Sequence, residues 1–142
     1  MKNAKKVILI AGILLSLLLL PTLSSQTTDM TTIEIVNIKG GVGGVTVNVK
    51  NTGDNTANDV WITTSINGGL LNGINLVHEC SGSCSECVPL EPGAIKSENT
   101  LEAGFLFGIG PVEITTSAGA NNAATESMEK NGFALGPIVL IQ

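Results

Sequence analysis

Val45-Thr46-Val47-Asn48-Val49-Lys50-Asn51-Thr52-Gly53 is the stretch on which the fold turns. Apolar and polar residues alternate through its first six positions. Successive side chains of a strand point to opposite faces, so the three valines share one face and define a half-buried strand. Val60, Ile62 and Ile66 repeat this phase, with Thr64 in the remaining place and Trp61 turned to the other side. Another strand begins at Ile33. Phe105, Phe107 and Ile109 alternate again and read as a core strand, followed by Val112 and Ile114. Turn-forming clusters separate the runs: Gly40-Gly41, residues 51–58, Asn67-Gly68-Gly69, Pro92-Gly93 and residues 119–122. Such residues meet the backbone demands of strand ends. Short β-branched strands at near-regular spacing predict an all-β fold, an antiparallel sandwich of about seven strands over residues 33–142.

The last third is less regular. Residues 120–131 have the propensity for a turn or two of helix. They lack a wide apolar stripe to anchor one, and read as a loop. The final strand is expected around Phe133 to Ile141, with Pro137 placing it at an edge or a bulge.

The start of the chain does not belong to this pattern. Lys2, Lys5 and Lys6 precede a 14-residue apolar run, residues 7–20, broken by Gly12 and Ser16. Pro21 and a small polar stretch follow. This is the layout of a secretory signal peptide over residues 1–25. The run is short of the roughly 20 apolar residues a bilayer span needs, and an uncleaved signal anchor is the alternative. Residues 26–32, rich in Thr, read as a tether.

Composition narrows the partners. The chain has 142 residues and a formal net charge of −5. All seven basic residues are lysines, and His78 is the one histidine. Beyond the leader only Lys39, Lys50, Lys96 and Lys130 face twelve acids. Nucleic acid and anionic membrane surfaces need basic patches, so neither is expected as a partner, and membrane contact is expected only through an uncleaved leader. No cofactor motif is present. The glycine-rich run 104–110 lacks the Lys-Ser/Thr ending of a phosphate loop. Asp54, Asn55, Asn58 and Asp59 lack the spacing and distal Glu of a calcium loop, and read as a solvated connection.

The pattern Val45-x-Val47-x-Val49-x-Asn51-Thr52-Gly53-x-x-x-Ala57-x-x-Val60, followed by the turn Leu90-Glu91-Pro92-Gly93, resembles the CARDB-type domains of bacterial and archaeal surface proteins. The likeness covers roughly residues 33–118. It implies an immunoglobulin-like sandwich, exported or held at the cell surface. On activity the likeness is nearly silent; the sandwich itself, with loops at its ends and two open strand edges, is expected to serve as a non-catalytic binding or assembly module, with a cell-envelope component or another copy as partner. Two features depart from the family pattern: there is one copy rather than an array, and a cysteine-bearing loop precedes the Pro-Gly turn.

That loop is the chemically distinctive segment. Cys80, Cys84 and Cys87 lie at C-x3-C-x2-C spacing, with His78 two residues before the first. Outside the cell, two thiols are expected to form a disulfide. Cys80–Cys87 is preferred over Cys80–Cys84 and Cys84–Cys87, because the longer span closes with less strain. Cys84 is then the free thiol, a sluggish nucleophile between Glu79 and Glu86. The alternative is a thiol or zinc protein that holds its metal with His78, Cys80, Cys84 and Cys87, since Cys₃His is an established structural set. His78 without an acidic partner in sequence reads as exposed rather than as a general base. Trp61 is the candidate binding-face aromatic.

The leader generates the first prediction. N-terminal sequencing of the exported protein is expected to begin between Ser24 and Thr28. Recovery of Met1 from membranes is the result that would establish the anchor instead.

Overall fold

The computed structural model describes residues 30–80 and 89–142. Eight strands follow one another: β1 (Ile33–Gly40), β2 (Val45–Asn51), β3 (Trp61–Gly68), β4 (Ile74–Cys80), β5 (Ile95–Asn99), β6 (Gly108–Ala120), β7 (Ala123–Gly136) and β8 (Ile138–Ile141). They form two antiparallel sheets, one of order β1-β2-β5 and one of order β4-β3-β6-β7-β8. The chain is therefore a β-sandwich, with eight strands among the described residues where about seven were expected. Among the described residues no helix is long and apolar enough to cross a membrane.

The core follows the period-two reading. Val45, Val47 and Val49 are buried in one cluster with Val60, just before β3, and with Ile62 and Ile66 of the other sheet. Thr64, in the fourth place of that row, is buried too, and its hydroxyl bonds Thr116 of β6 at 3.2 Å. Ile33, Ile35, Ile114, Val112 and Val139 belong to the same aliphatic cluster, which among the described residues holds no Phe or Trp side chain.

Three expectations are corrected. Phe105, Phe107 and Ile109 do not line the core. Phe105 and Phe107 are 60 % and 71 % exposed, Ile109 is also exposed, and it is Leu106 that is buried. The alternation is real, but its inward places at the start of β6 are glycines. A Cβ on Gly108 would lie 2.5 Å from the Ile74 side chain, and one on Gly110 would lie 2.9 Å from the backbone of Leu70. Neighbouring elements fill those places, and the large residues are left outside. Residues 123–131 are not a loop but the first part of β7, which pairs with β6 in the longest hairpin of the fold. Here the strand carries polar residues on both faces, so no alternation marks it. The ladder to β6, reinforced by a Ser117–Ser127 hydroxyl bond of 2.8 Å, holds it extended. Finally, Pro137 does not sit within one last strand. With Gly136, at φ 61°, it makes the turn between β7 and β8, where Leu135 pairs with Ile138.

One end of the sandwich is organised by a single side chain. Asn51, fully buried at the end of β2, uses its amide completely. Its Nδ2 donates to the carbonyls of Asn55 and Leu90, both at 2.8 Å. Its Oδ1 accepts from the Thr31 hydroxyl at 2.8 Å and from the Gly53 N–H at 3.0 Å. Leu90 also exchanges two backbone bonds with Ala57, which is fully buried. Pro92-Gly93 follows as a tight turn, with Gly93 at φ 78° and the Ala94 N–H donating to Glu91. Gly53 is needed for closeness: a Cβ there would lie 2.2 Å from the Thr31 hydroxyl. Thr31 and Thr32, at the end of the stretch read as a tether, are thus held in the fold. Thr31 is buried, and the Thr32 carbonyl accepts from Thr52.

Asn51→Asp keeps the shape but replaces two donors by an acceptor facing two carbonyls. Denaturant unfolding is expected to show a loss of about 3 kcal/mol or more, comparable to Asn51→Ala, because buried polar groups left unpaired cost about 1–3 kcal/mol each.

Candidate functional site

The strongest surface feature lies on the outer face of the five-stranded sheet, where β6, β7 and β8 run side by side. Cross-strand register places Ile109 opposite Leu135 and Leu135 opposite Ile138. One row on, Pro111 stands opposite Phe133 and Phe133 opposite Leu140. All six side chains are exposed. Directly opposed side chains in a sheet have Cβ atoms about 5 Å apart, so the two rows form one continuous apolar grid. The inward neighbours Gly132, Ala134 and Val139 are buried, so the grid is backed by the core and held flat. Phe107 continues it round the end of the sandwich, with its ring beside Gly136. All three phenylalanines of the chain are therefore on the surface, two of them outside regular strand.

Trp61 does not join this face. It is half-buried on the outer side of β3 and lies flat over Gly119, where a Cβ would come within 2.7 Å of the indole. Pairing of Trp61 with Gly119 sets it about 34 Å along β6 from Ile109, at about 3.4 Å per residue. Its packing accounts for it.

The polar cluster sits elsewhere, where the edge strands β4 and β5 face each other across the open side of the sandwich. His78 of β4, expected to be exposed, is buried, with its side chain 9 % exposed. Glu98 of β5 is buried opposite it, and their nearest atoms, His78 Nε2 and Glu98 Oε2, are 3.9 Å apart. Lys96 reaches Glu98 Oε1 at 3.2 Å and approaches Cys80 Sγ at 3.6 Å. Glu102, in the short 3-10 turn after β5, brings a third ligand atom: one each from His78, Glu98 and Glu102 lie within 4.8 Å of one another. Cys80 is buried at the end of β4. Cys84 and Cys87 lie outside the described residues, as do the pairings and the thiol ligation expected of them.

Glu98 and Glu102 were not foreseen. The signal was present in β5, Ile95-Lys96-Ser97-Glu98-Asn99, whose amphipathicity is inverted. Ile95 points out at 57 % exposure, while Lys96 and Glu98 point in. Inward-pointing charge is one way an edge strand is kept from pairing with another chain. The remaining candidates are structural: Asn55 bonds the Met30 carbonyl, Asn58 donates its N–H to Asn122, and Asp59 accepts from the Asn121 side chain.

Comparison with known proteins finds no matching family model and no similar curated protein.

Glu98 is carried inward by a charge-paired lysine, and removing one partner of a buried pair leaves an uncompensated charge. Lys96→Met is expected to cost about 3 kcal/mol in denaturant unfolding. Adding Glu98→Leu is expected to recover most of that loss. Equal midpoints for the single and double variants would show that the pair is not coupled.

Proposed function

We propose that this chain is a non-catalytic, exported or cell-surface module, of the immunoglobulin-like kind that its Asn-Thr-Gly and Pro-Gly turns resemble. It binds or assembles through the outer face of β6, β7 and β8. The apolar grid of Ile109, Pro111, Phe133, Leu135, Ile138 and Leu140 carries this reading. Monomeric soluble proteins rarely leave contiguous apolar surface of this kind uncovered, and rigid aromatic and aliphatic anchors dominate interface energetics.

A second copy of the chain is the partner the charge distribution favours. An acidic protein repels itself over most of its surface. The grid contains no charged side chain, so two copies meet there without opposing carboxylates. A sheet face meeting its own copy forms an isologous contact that closes at the dimer. A secretory leader would deliver the module to the envelope, where a cell-wall or surface component is the competing partner.

Sedimentation velocity of the exported protein is expected to show concentration-dependent association. Phe133→Ser with Leu135→Ser is expected to abolish it with little change in far-UV circular dichroism, because both side chains point to solvent. A protein that stays monomeric at high concentration, or a double variant that associates like the wild type, would exclude self-assembly through this face.

A further inference from the structure

We infer that His78, Glu98 and Glu102 form a binding site for a divalent transition-metal ion, best suited to zinc, on the open side of the sandwich between β4 and β5. The site is separate from the apolar face and does not depend on it. It also differs from the alternative ligand set read from the sequence, His78 with Cys80, Cys84 and Cys87, in drawing on two carboxylates.

The imidazole is the first observation. His78 Nε2 is buried and, among the described residues, has no hydrogen-bond partner. Its nearest acidic oxygen, Glu98 Oε2, is too far for a hydrogen bond at 3.9 Å. Buried polar atoms are nearly always satisfied, so an orphan ring nitrogen aimed at a carboxylate calls for a third party. The spacing suits one. Zinc bonds imidazole nitrogen at about 2.0–2.1 Å and carboxylate oxygen at about 2.0–2.2 Å, so tetrahedral ligand atoms lie about 3.4 Å apart. A small closing movement brings Nε2 and Oε2 to that distance.

The division of labour on Glu98 is the second observation. Lys96 holds Oε1, while Oε2 is the oxygen that faces His78. The ammonium therefore fixes the carboxylate from behind without occupying the ligating oxygen, as outer partners of metal ligands do. Charge agrees. Two carboxylates face one ammonium, leaving a net negative site that a divalent cation offsets. Glu102 is exposed on a short turn and can swing to complete the set, with water filling the last position. Imidazole with carboxylate is a borderline donor set that favours zinc over the hard cations calcium and magnesium. Bound there, the ion would tie β4 to β5 and to the turn after it, closing a side of the sandwich that no ladder among the described residues closes.

The test is titration of the metal-stripped exported protein with Zn²⁺ by calorimetry, with Co²⁺ as the spectroscopic probe. One ion per chain is expected. Cobalt should give visible d–d bands without the near-ultraviolet charge-transfer band of a thiolate ligand. His78→Gln is expected to weaken binding about 100-fold or more, and Glu102→Gln about tenfold or more, since even the outer partners of metal ligands are commonly worth about 10–100-fold. Glu102 is exposed, so its variant folds normally and isolates ligation from stability. Cys84→Ser with Cys87→Ser is expected to leave affinity unchanged. Absence of zinc binding, affinity unaltered in His78→Gln, or a cobalt–thiolate band lost in the cysteine variant would each overturn the assignment.

Discussion

The side-chain amide of Asn51 is the interaction on which the two sheets' common end depends. It has two donors and one twofold acceptor, and all four bonds are made inside the protein. They join the lead-in to β1, the turn after β2, the loop before β3 and the segment before β5. No other side chain of this size presents that combination of donors and acceptors. The consequence reaches beyond the turn. Leu90 and Ala57 close a bridge between the two connecting loops, and the Leu90 carbonyl that Asn51 holds also accepts from Ala57. Asn, Gly, Ala and Leu-x-Pro-Gly are separate in sequence and meet around one amide.

This explains what could and could not be read from the sequence. Strands β2 and β3 were legible because one face is buried and the other wet, which writes a period of two directly into the residues. The Asn51 turn was legible as a turn, though for an incomplete reason. The residue is there to bond four distant groups, and Gly53 to let Thr31 approach. The start of β6 misled because glycines occupy its inward positions and leave the bulky residues outside. The first half of β7 was invisible because its partner ladder, not burial, keeps it extended. Of the polar cluster, His78 was legible as a candidate. Glu98 and Glu102 were not, because only the pairing of β5 with β2 carries them under β4.

The exposed margins of the sheets are treated differently from one another. At the β8 margin, the Gly41–Gly43 connection bonds Val139 and Pro137, so the loop after β1 covers the edge. Along β1, the Glu126 carboxylate accepts the Ile35 N–H at the bulge, where regular pairing with β2 is interrupted. Among the described residues the β4–β5 side has no such cover. Instead it turns charge inward, an arrangement that prevents strand addition while creating a polar pocket between the sheets. Protection of an edge and assembly of a ligand set are here the same structural fact.

The aliphatic interior has an optical consequence. The chain contains no tyrosine, its phenylalanines lie at the surface, and its single indole rests over Gly119 on the outer side of β3. Indole absorbance and emission therefore arise at one point, the seam between β3 and the far end of β6. Fluorescence reports the opening of that seam and is blind to the packing of valine against isoleucine a few ångströms beneath it. Loss of the core would register in methyl resonances and amide exchange, while the indole could keep its emission until β3 parts from β6.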